Sequence, residues 1–395
     1  MSLNGPVLLT QRAGGIITPV HVGDGIVEGL GEIVAAACSD GRPSAAFVMH
    51  DGAVANFADR AIASLERVGL RVAAMPVHAT ERSKTLAAVE ELSRGLASAG
   101  ADRDALVVAV GGGVVGDVAG FVAASWMRGV RWMQVPTTLL AMVDAALGGK
   151  TAVNLQMPDG AVAKNMIGAI WQPRAVISDV ASLSTLPGRA LRAGIAECVK
   201  HAMLADAGLM GAVPQLAQLH DSGAEGRARA VRTIARAAQV KLDIVARDER
   251  ERQDRMLLNL GHTFAHAIEA CEPDRWLHGE AVAIGLVAAM GAAAEDGRRG
   301  TVGPRPTEED VMAVRSCLDS MGLPVGLSAD APWGRMRDAM RSDKKRRGGG
   351  LTLILPRGAA GAGADIVRDA PDALVDAGFA AIGMPLLKPA SANVR

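Results

Sequence analysis

The chain opens its patterned region with short apolar runs separated by helix-length amphipathic stretches. Residues 44–49 (SAAFVM) read as a buried strand and 53–69 as an amphipathic helix. Residues 71–77 (RVAAMPV) and 84–99 repeat that pair, and 105–110 (ALVVAV) is a third strand that ends on Gly111-Gly112-Gly113. Strands alternating with helices predict a parallel α/β unit. Beyond residue 187 the pattern changes to helical periods: 190–206, a long charged helix over 225–250, then two apolar helical runs around 262 and 278. Residues 295–309 are polar and rich in Gly and Pro, as expected of a loop between helices. A strand, LTLILP, follows the basic run RSDKKRRGGG at 341–350. The expectation is two domains, 1–187 and 188–395, the first parallel α/β and the second mostly α-helical. The last ten residues, 386–395, are expected to fray.

Composition adds exclusions. The formal net charge is zero and the pI about 7.1, so nothing favours nucleic acid or a charged membrane surface. No run of 18 uncharged apolar residues predicts a membrane span, and the N-terminus lacks the pattern of a signal peptide. Cys38, Cys198, Cys271 and Cys317 are scattered, which fits a reducing cytoplasm better than a disulfide frame. The 42 basic residues divide into 34 arginines and only eight lysines. A compact ammonium is not replaceable by a guanidinium. Lys84, Lys150, Lys164, Lys200, Lys241, Lys344 and Lys345 are therefore enriched candidates for site residues, and Lys388 is set aside as a tail residue.

Three stretches carry chemistry. Gly111 to Gly113 lie between a buried strand and a helix, where backbone N–H groups and the helix dipole can receive a phosphate. In QVPTTLLAMVDAALGGKTAVN (134–154), Thr137 and Thr138 end a strand, and Asp144, Lys150 and Asn154 surround the Gly148-Gly149 turn. In RMLLNLGHTFAHAIEACEPDRWLHGE (255–280), three of the eight histidines fall close together. His262 and His266 share a helix face, and Arg255 and Asn259 precede them at helical spacing. Imidazoles in that pattern suit a borderline metal such as zinc, with further ligands from elsewhere in the chain. Glu197 and Lys200, three apart on a helix, are either a surface ion pair or part of such a site.

GGGVVGDVAG, the 134–154 stretch, KNMIGA (164–169), AGIAECVKHAML (193–204), LNLGHTFAHAIE (258–269) and LHGEAVAIG (277–285) together resemble 3-dehydroquinate synthase, in order and in spacing, over roughly residues 40–360. The resemblance implies a cleft site between a Rossmann-like domain and a helical one, and a homodimer. It implies conversion of 3-deoxy-D-arabino-heptulosonate 7-phosphate to 3-dehydroquinate and phosphate, on the shikimate route to aromatic amino acids. It implies further that NAD is used and regenerated within each turnover, beside a divalent metal, zinc or cobalt. Glu197, His262 and His278 become the expected metal ligands, and His266 a substrate contact. Lys150, Lys200, Lys241, Asn165, Arg255 and His266 are the expected catalytic residues, joined at the substrate by Arg128, Asp144, Asn259, Lys344 and Lys345. Asp51, Glu81, Lys84, Gly112, Gly113, Asp117, Thr137, Thr138, Asp144, Lys164 and Thr185 are expected around the cofactor.

Three departures from the family pattern are visible: a longer connection at 155–163, Ala53 in place of a common Asn, and Ala190 in place of a usual Glu. The rival readings are a cyclase making a valiolone or an inosose, a metal-dependent polyol dehydrogenase on the same fold, and an inactive binding protein. A dehydrogenase would leave net NADH where a cyclase would not.

Overall fold

The computed structural model describes residues 5–158, 160, 162–346 and 350–384, with side chains omitted for 342–346. Two compact units emerge: Met1–Gly194 with Gln215–Arg250, and Ile195–Pro214 with Glu251–Arg395. The chain passes between them three times, where the sequence reading expects one boundary near residue 187. The first crossing falls inside a helix (Gly188–Ala205), so no linker composition announces it.

The first unit is built on a seven-stranded sheet. Strands β1 (Val7–Ala13) and β2 (Ile16–Gly23) form an antiparallel hairpin, and β2 then pairs in parallel with a later strand. Helix α1 (Leu30–Ala37) follows, then β3 (Ala46–Asp51), α2 (Ala55–Arg67), β4 (Val72–Val77), α3 (Leu86–Ser98), β5 (Leu106–Gly111), α4 (Gly113–Ser125) and β6 (Arg131–Pro136). A second hairpin, β7 (Lys150–Gln156) with β8 (Val162–Ile170), packs outside the main sheet; it absorbs the long 155–163 connection. Strand β9 (Val176–Asp179) completes the order β1-β2-β9-β6-β5-β3-β4. Within this sheet only β1 runs antiparallel to its neighbour. The central strands are apolar on both sides because helices cover both faces, as in β5, where every residue is buried. One layer of core joins Leu30, Leu65, Val108 and Val135, and the other joins Phe47, Val107, Val118 and Trp132.

The strand order has a direction reversal. From β3 the chain moves outward to β4, and from β5 it moves the opposite way to β6. The carboxyl ends of β3 and β5 therefore flank a switch point, the place where open parallel sheets leave a crevice for a ligand. The same unit holds the long helix α7 (Gly223–Arg247), whose buried face presents Ala230, Ile234, Ala237, Ala238, Leu242 and Val245.

The second unit is mostly helical. It takes the end of α5 (Gly188–Ala205), then α6 (Ala207–Ala212), α8 (His262–Cys271), α9 (His278–Arg298), α10 (Glu308–Ser320), α11 (Trp333–Arg346), the β10 (Leu353–Pro356) and β11 (Ala364–Val367) pair, and α12 (Asp372–Ala381). Helix α9 is its centre and is buried almost all round. Small residues set the spacing: a Cβ on Gly285 would lie 2.2 Å from the Gly261 carbonyl, and one on Gly291 would lie 2.4 Å from the Ala381 Cβ. Phe264 and Phe379 meet edge-to-face with centroids 5.5 Å apart. All four cysteines are free. Among the described residues no helix is long and apolar enough to cross a membrane.

Candidate functional site

In the second unit three donors converge. His262 and His278 are the first residues of α8 and α9, and the close approach of Gly261 and Gly285 brings those helices together. Their rings lie 5.2 Å apart. Glu197, on α5, is fully buried, with its Oε1 3.6 Å from His262 Nε2 and 3.8 Å from His278 Nε2. Donors about 2.1 Å from a tetrahedral ion stand roughly 3.4 Å apart, so the trio is nearly spaced to hold one. Lys200 pairs with Glu197 through Oε2, which leaves Oε1 facing the two imidazoles with no hydrogen bond among the described residues. Buried carboxylate oxygens are costly in that state unless something else compensates them. His262 Nδ1 lies 3.2 Å from the Leu260 carbonyl, which leaves Nε2 toward Glu197. Burial first, then the nearby Lys200, His278 and His266, hold the His262 pKa well below the ordinary histidine value. That ring is neutral at pH 7, the form that binds a metal. His278 is oriented from behind by Glu269, whose Oε2 is 3.4 Å from its Nδ1. These residues fit a divalent metal. His266 stacks nearby, 5.6 Å from His262 and 6.4 Å from His278 between centroids, and is not one of the three donors.

Arg255 and Asn259 differ from expectation. The sequence reading runs them on one helical face with His262 and His266. They lie instead on a separate 3-10 turn, Asp254–Asn259, and Gly261 breaks the path with φ of 79°. Asn259 Nδ2 donates to Glu251 at 2.7 Å, and Arg255 is only 2% exposed.

The first unit gathers a second set. Gly112 caps α4 and Gly113 begins it, directly after β5 and beside the switch point. A Cβ on Gly112 would lie 3.1 Å from Thr138 Cγ2, and one on Gly113 would lie 3.3 Å from the Ala145 Cβ, so a side chain there would crowd this turn. The unpaired N–H groups of α4's first turn and the crevice at the switch point fit a dinucleotide pyrophosphate. Thr137 is buried and bonds through its N–H to the Gly111 carbonyl; Thr138 Oγ1 accepts from Ala141 N. Asp51, at the end of β3, caps the following turn by accepting from Ala53 N at 2.9 Å. Thr185 bonds back to the Ser182 carbonyl within its own turn.

Lys84, only 3% exposed, pairs with Asp117 at 2.5 Å and bonds the side chain of Asn165. Burial raises the Asp117 pKa, and Lys84 works against that rise. Asn165 has φ of 56°, a left-handed conformation that asparagine tolerates better than most residues, opposite a register shift at Asn154. Asn154 brackets the cluster: it accepts from Asn165 N at 2.8 Å and donates to Glu81 Oε1 at 2.8 Å. Lys241 is also buried, and its ammonium donates to the Asp144 carbonyl at 2.6 Å and carboxylate at 2.8 Å. Lys150, Lys164 and Arg128 are exposed, and Arg128 follows Met127 in left-handed backbone, φ 70° and 47°. The side chains of Lys344 and Lys345 lie outside the described residues, as does Lys388. Sequence reasoning missed Glu269, and placed Asn154 only among the polar residues around the Gly148-Gly149 turn; a lone carboxylate in a helix offers no signal of which ring it faces.

Residues 74–193 match the family model described as 3-dehydroquinate synthase N-terminal, and 194–346 that described as 3-dehydroquinate synthase C-terminal. The 3-dehydroquinate synthase of Halorhodospira halophila (strain DSM 244 / SL1) is 41% identical over 360 residues, covering 91% of this chain and 95% of the relative. That of Xanthomonas campestris pv. campestris (strain 8004) is 45% identical over 327 residues, covering 78% and 81%. A solved 2-epi-5-epi-valiolone synthase from Streptomyces hygroscopicus subsp. jinggangensis 5008, with NAD+ and Zn2+ bound, superposes with a TM-score of 0.78 at 28% identity, covering 93% of this chain and 97% of that one.

Proposed function

This chain belongs to the 3-dehydroquinate synthase family, and we infer that it is a phosphate-eliminating lyase that turns 3-deoxy-D-arabino-heptulosonate 7-phosphate into 3-dehydroquinate and phosphate. The observation that carries this reading is the Glu197–His262–His278 trio, two of its members buried and all three spaced for one metal ion, on a chain that also has a glycine turn at its switch point. The division of labour follows: the first unit takes NAD, and the second takes the metal.

NAD belongs on Gly112 and Gly113, with Asp51, Glu81, Lys84, Asp117, Thr137, Thr138, Asp144, Lys164 and Thr185 around it. Bound there, it would supply a reversible hydride acceptor that makes a neighbouring C–H acidic, with the oxidised cofactor regenerated before product release. A zinc or cobalt ion belongs on Glu197, His262 and His278, and supplies a Lewis acid for substrate oxygens.

The chain's own residues bind and orient the substrate. Lys200 offsets the charge of Glu197, both side chains being buried. Lys241, held by Asp144, presents an ammonium from a buried helix face. Lys150, Asn165 and Arg128 grip anionic oxygens, and either Lys344 or Lys345 adds a further cation. Arg255 reads the substrate carboxylate with a two-pronged contact that lysine cannot copy, with Asn259 and His266 beside it. A cyclase of a neutral seven-carbon sugar phosphate has no substrate carboxylate for Arg255 to read, so relative rates on carboxylated and neutral substrates separate the two readings. On this reading the enzyme serves the shikimate route in the cytoplasm as a homodimer, which sedimentation equilibrium checks.

Phosphate release tests the assignment. The heptulosonate phosphate should be consumed through many turnovers with NAD supplied at a small fraction of substrate, and not at all after chelation. Consumption limited to one equivalent of NAD would make the protein a dehydrogenase.

A further inference from the structure

Within the first unit a chain of side chains runs from the end of α7 to the Gly148-Gly149 turn. Glu249 Oε1 accepts from Gln172 Nε2 at 2.8 Å. Gln172 Oε1 accepts from Gln11 Nε2 at 2.6 Å. Gln11 Oε1 accepts from Gly148 N at 2.7 Å. A carboxylate can only accept, so it must face the amino group of Gln172. That fixes the Gln172 carbonyl toward Gln11, and in turn the Gln11 carbonyl toward Gly148. An acceptor-only carboxylate at one end and the donor-only Gly148 N–H at the other thus agree on the direction of every bond in the row.

The surroundings are shaped for it. Gln11 is fully buried. Gly149 has φ of 67°, and a Cβ there would lie 2.5 Å from the Gln172 side-chain carbonyl carbon. Gly14, with φ of 57°, leaves room for Glu249, whose Oε1 would be 2.6 Å from an added Cβ. The turn so gripped joins two candidate site residues. Asp144, which holds Lys241, lies just before it, and Lys150 begins the strand just after it.

We propose that Gln11, Gln172 and Glu249 form a positioning relay that fixes the 148–149 turn, and through it Lys150 and the Asp144–Lys241 pair, for binding the sugar phosphate. None of the three touches substrate in this account. The proposal rests on the functional reading above for what Lys150 and Lys241 grip.

The test is a charge relocation. Gln172→Glu faces Glu249 with a second carboxylate and breaks the row. Adding Glu249→Gln restores a donor there, and the carboxylate now introduced at position 172 can accept from both neighbours. Hydrogen exchange by mass spectrometry over the peptide containing Gly148 should speed up in the single variant and return to the parent rate in the double. In steady-state assays the single variant should lose about 10- to 100-fold in kcat/KM for the sugar phosphate, the scale of a ~1 Å misplacement, chiefly through KM. The double should recover most of it, and calorimetric NAD affinity should not change in either. Parental exchange and kcat/KM in the single variant, or a double no better than the single, would overturn the relay. If Gln172→Glu does not fold, Glu249→Gln alone, at a half-buried position, removes the fixed acceptor. It should speed the same exchange and raise KM; parental values for both would overturn the proposal. A parent that is inactive on the heptulosonate phosphate would refute the functional reading, and the exchange data would still decide the relay.

Discussion

Replacing Glu197 with glutamine removes one charge and almost no volume at a position with no exposure. Two consequences separate cleanly. Lys200, itself 1% exposed, loses its compensating carboxylate, and breaking a buried ion pair costs about 3–5 kcal/mol. Both side chains are buried, so solvent screening gives no discount. The metal-free variant should therefore be less stable by that amount in urea unfolding. The second consequence concerns the ion. With metal at 100 times its Kd, the parent should gain about 2.7 kcal/mol of stability, and Glu197→Gln should gain nothing. His278→Ala supplies the contrast. Its side chain is 38% exposed, so metal-free stability should move by less than about 1 kcal/mol while the metal-induced gain disappears. Urea titrations with and without zinc, with bound metal counted by mass spectrometry of the native protein, read both effects. Glu197→Gln with parental metal-free stability, or with the full zinc increment, would refute the assignment, as would loss of metal from His266→Ala but not from His278→Ala.

Further expectations concern single groups. Gly113→Val should weaken NAD binding at least about tenfold in calorimetry; unchanged affinity would move the pyrophosphate away from this turn. Arg255→Lys should cost about 2–4 kcal/mol in kcat/KM for the carboxylated substrate, within the range for a desolvated charge pair, with NAD affinity retained; an equal loss on a substrate lacking the carboxylate would contradict its role. Glu269→Ala should weaken metal binding roughly 10- to 100-fold against a chromophoric chelator, and unchanged affinity would make Glu269 irrelevant to His278. Asp365 accepts hydrogen bonds from Arg357 and Arg305, which hold its pKa below the usual carboxylate range. A depressed folded pKa means stability that is present above about pH 4 and lost as pH falls below it. The urea midpoint of Asp365→Asn should accordingly lie below the parent's at neutral pH and converge with it in acid.

The parallel strands were legible because residues buried on both faces leave continuous apolar runs, as at 105–110. The β1–β2 and β7–β8 hairpins were not: half-exposed strands such as Val162–Ile170 mix Lys164, Asn165 and Gly168 among apolar residues, and no strict alternation emerges. The domain boundary was hidden because it crosses a helix whose periodicity does not change at Gly194. His262 and His278 could be singled out by their density in the chain, and Lys84, Lys200 and Lys241 by the scarcity of lysine; all three lysines prove buried. The Arg255 register failed at Gly261, since a sequence period cannot reveal one left-handed residue. Gln11, Gln172 and Glu249 come from three distant segments, and uncharged amides carry no composition signal of their own.

The most direct measurement offers the purified protein, with NAD and zinc or cobalt, an equimolar mixture of 3-deoxy-D-arabino-heptulosonate 7-phosphate, sedoheptulose 7-phosphate and glucose 6-phosphate, and identifies products by mass. The account predicts 3-dehydroquinate and one phosphate per molecule of heptulosonate phosphate consumed, no net NADH, and the other two sugars untouched. A cyclised product from sedoheptulose 7-phosphate or glucose 6-phosphate, with the heptulosonate phosphate unchanged, would contradict it.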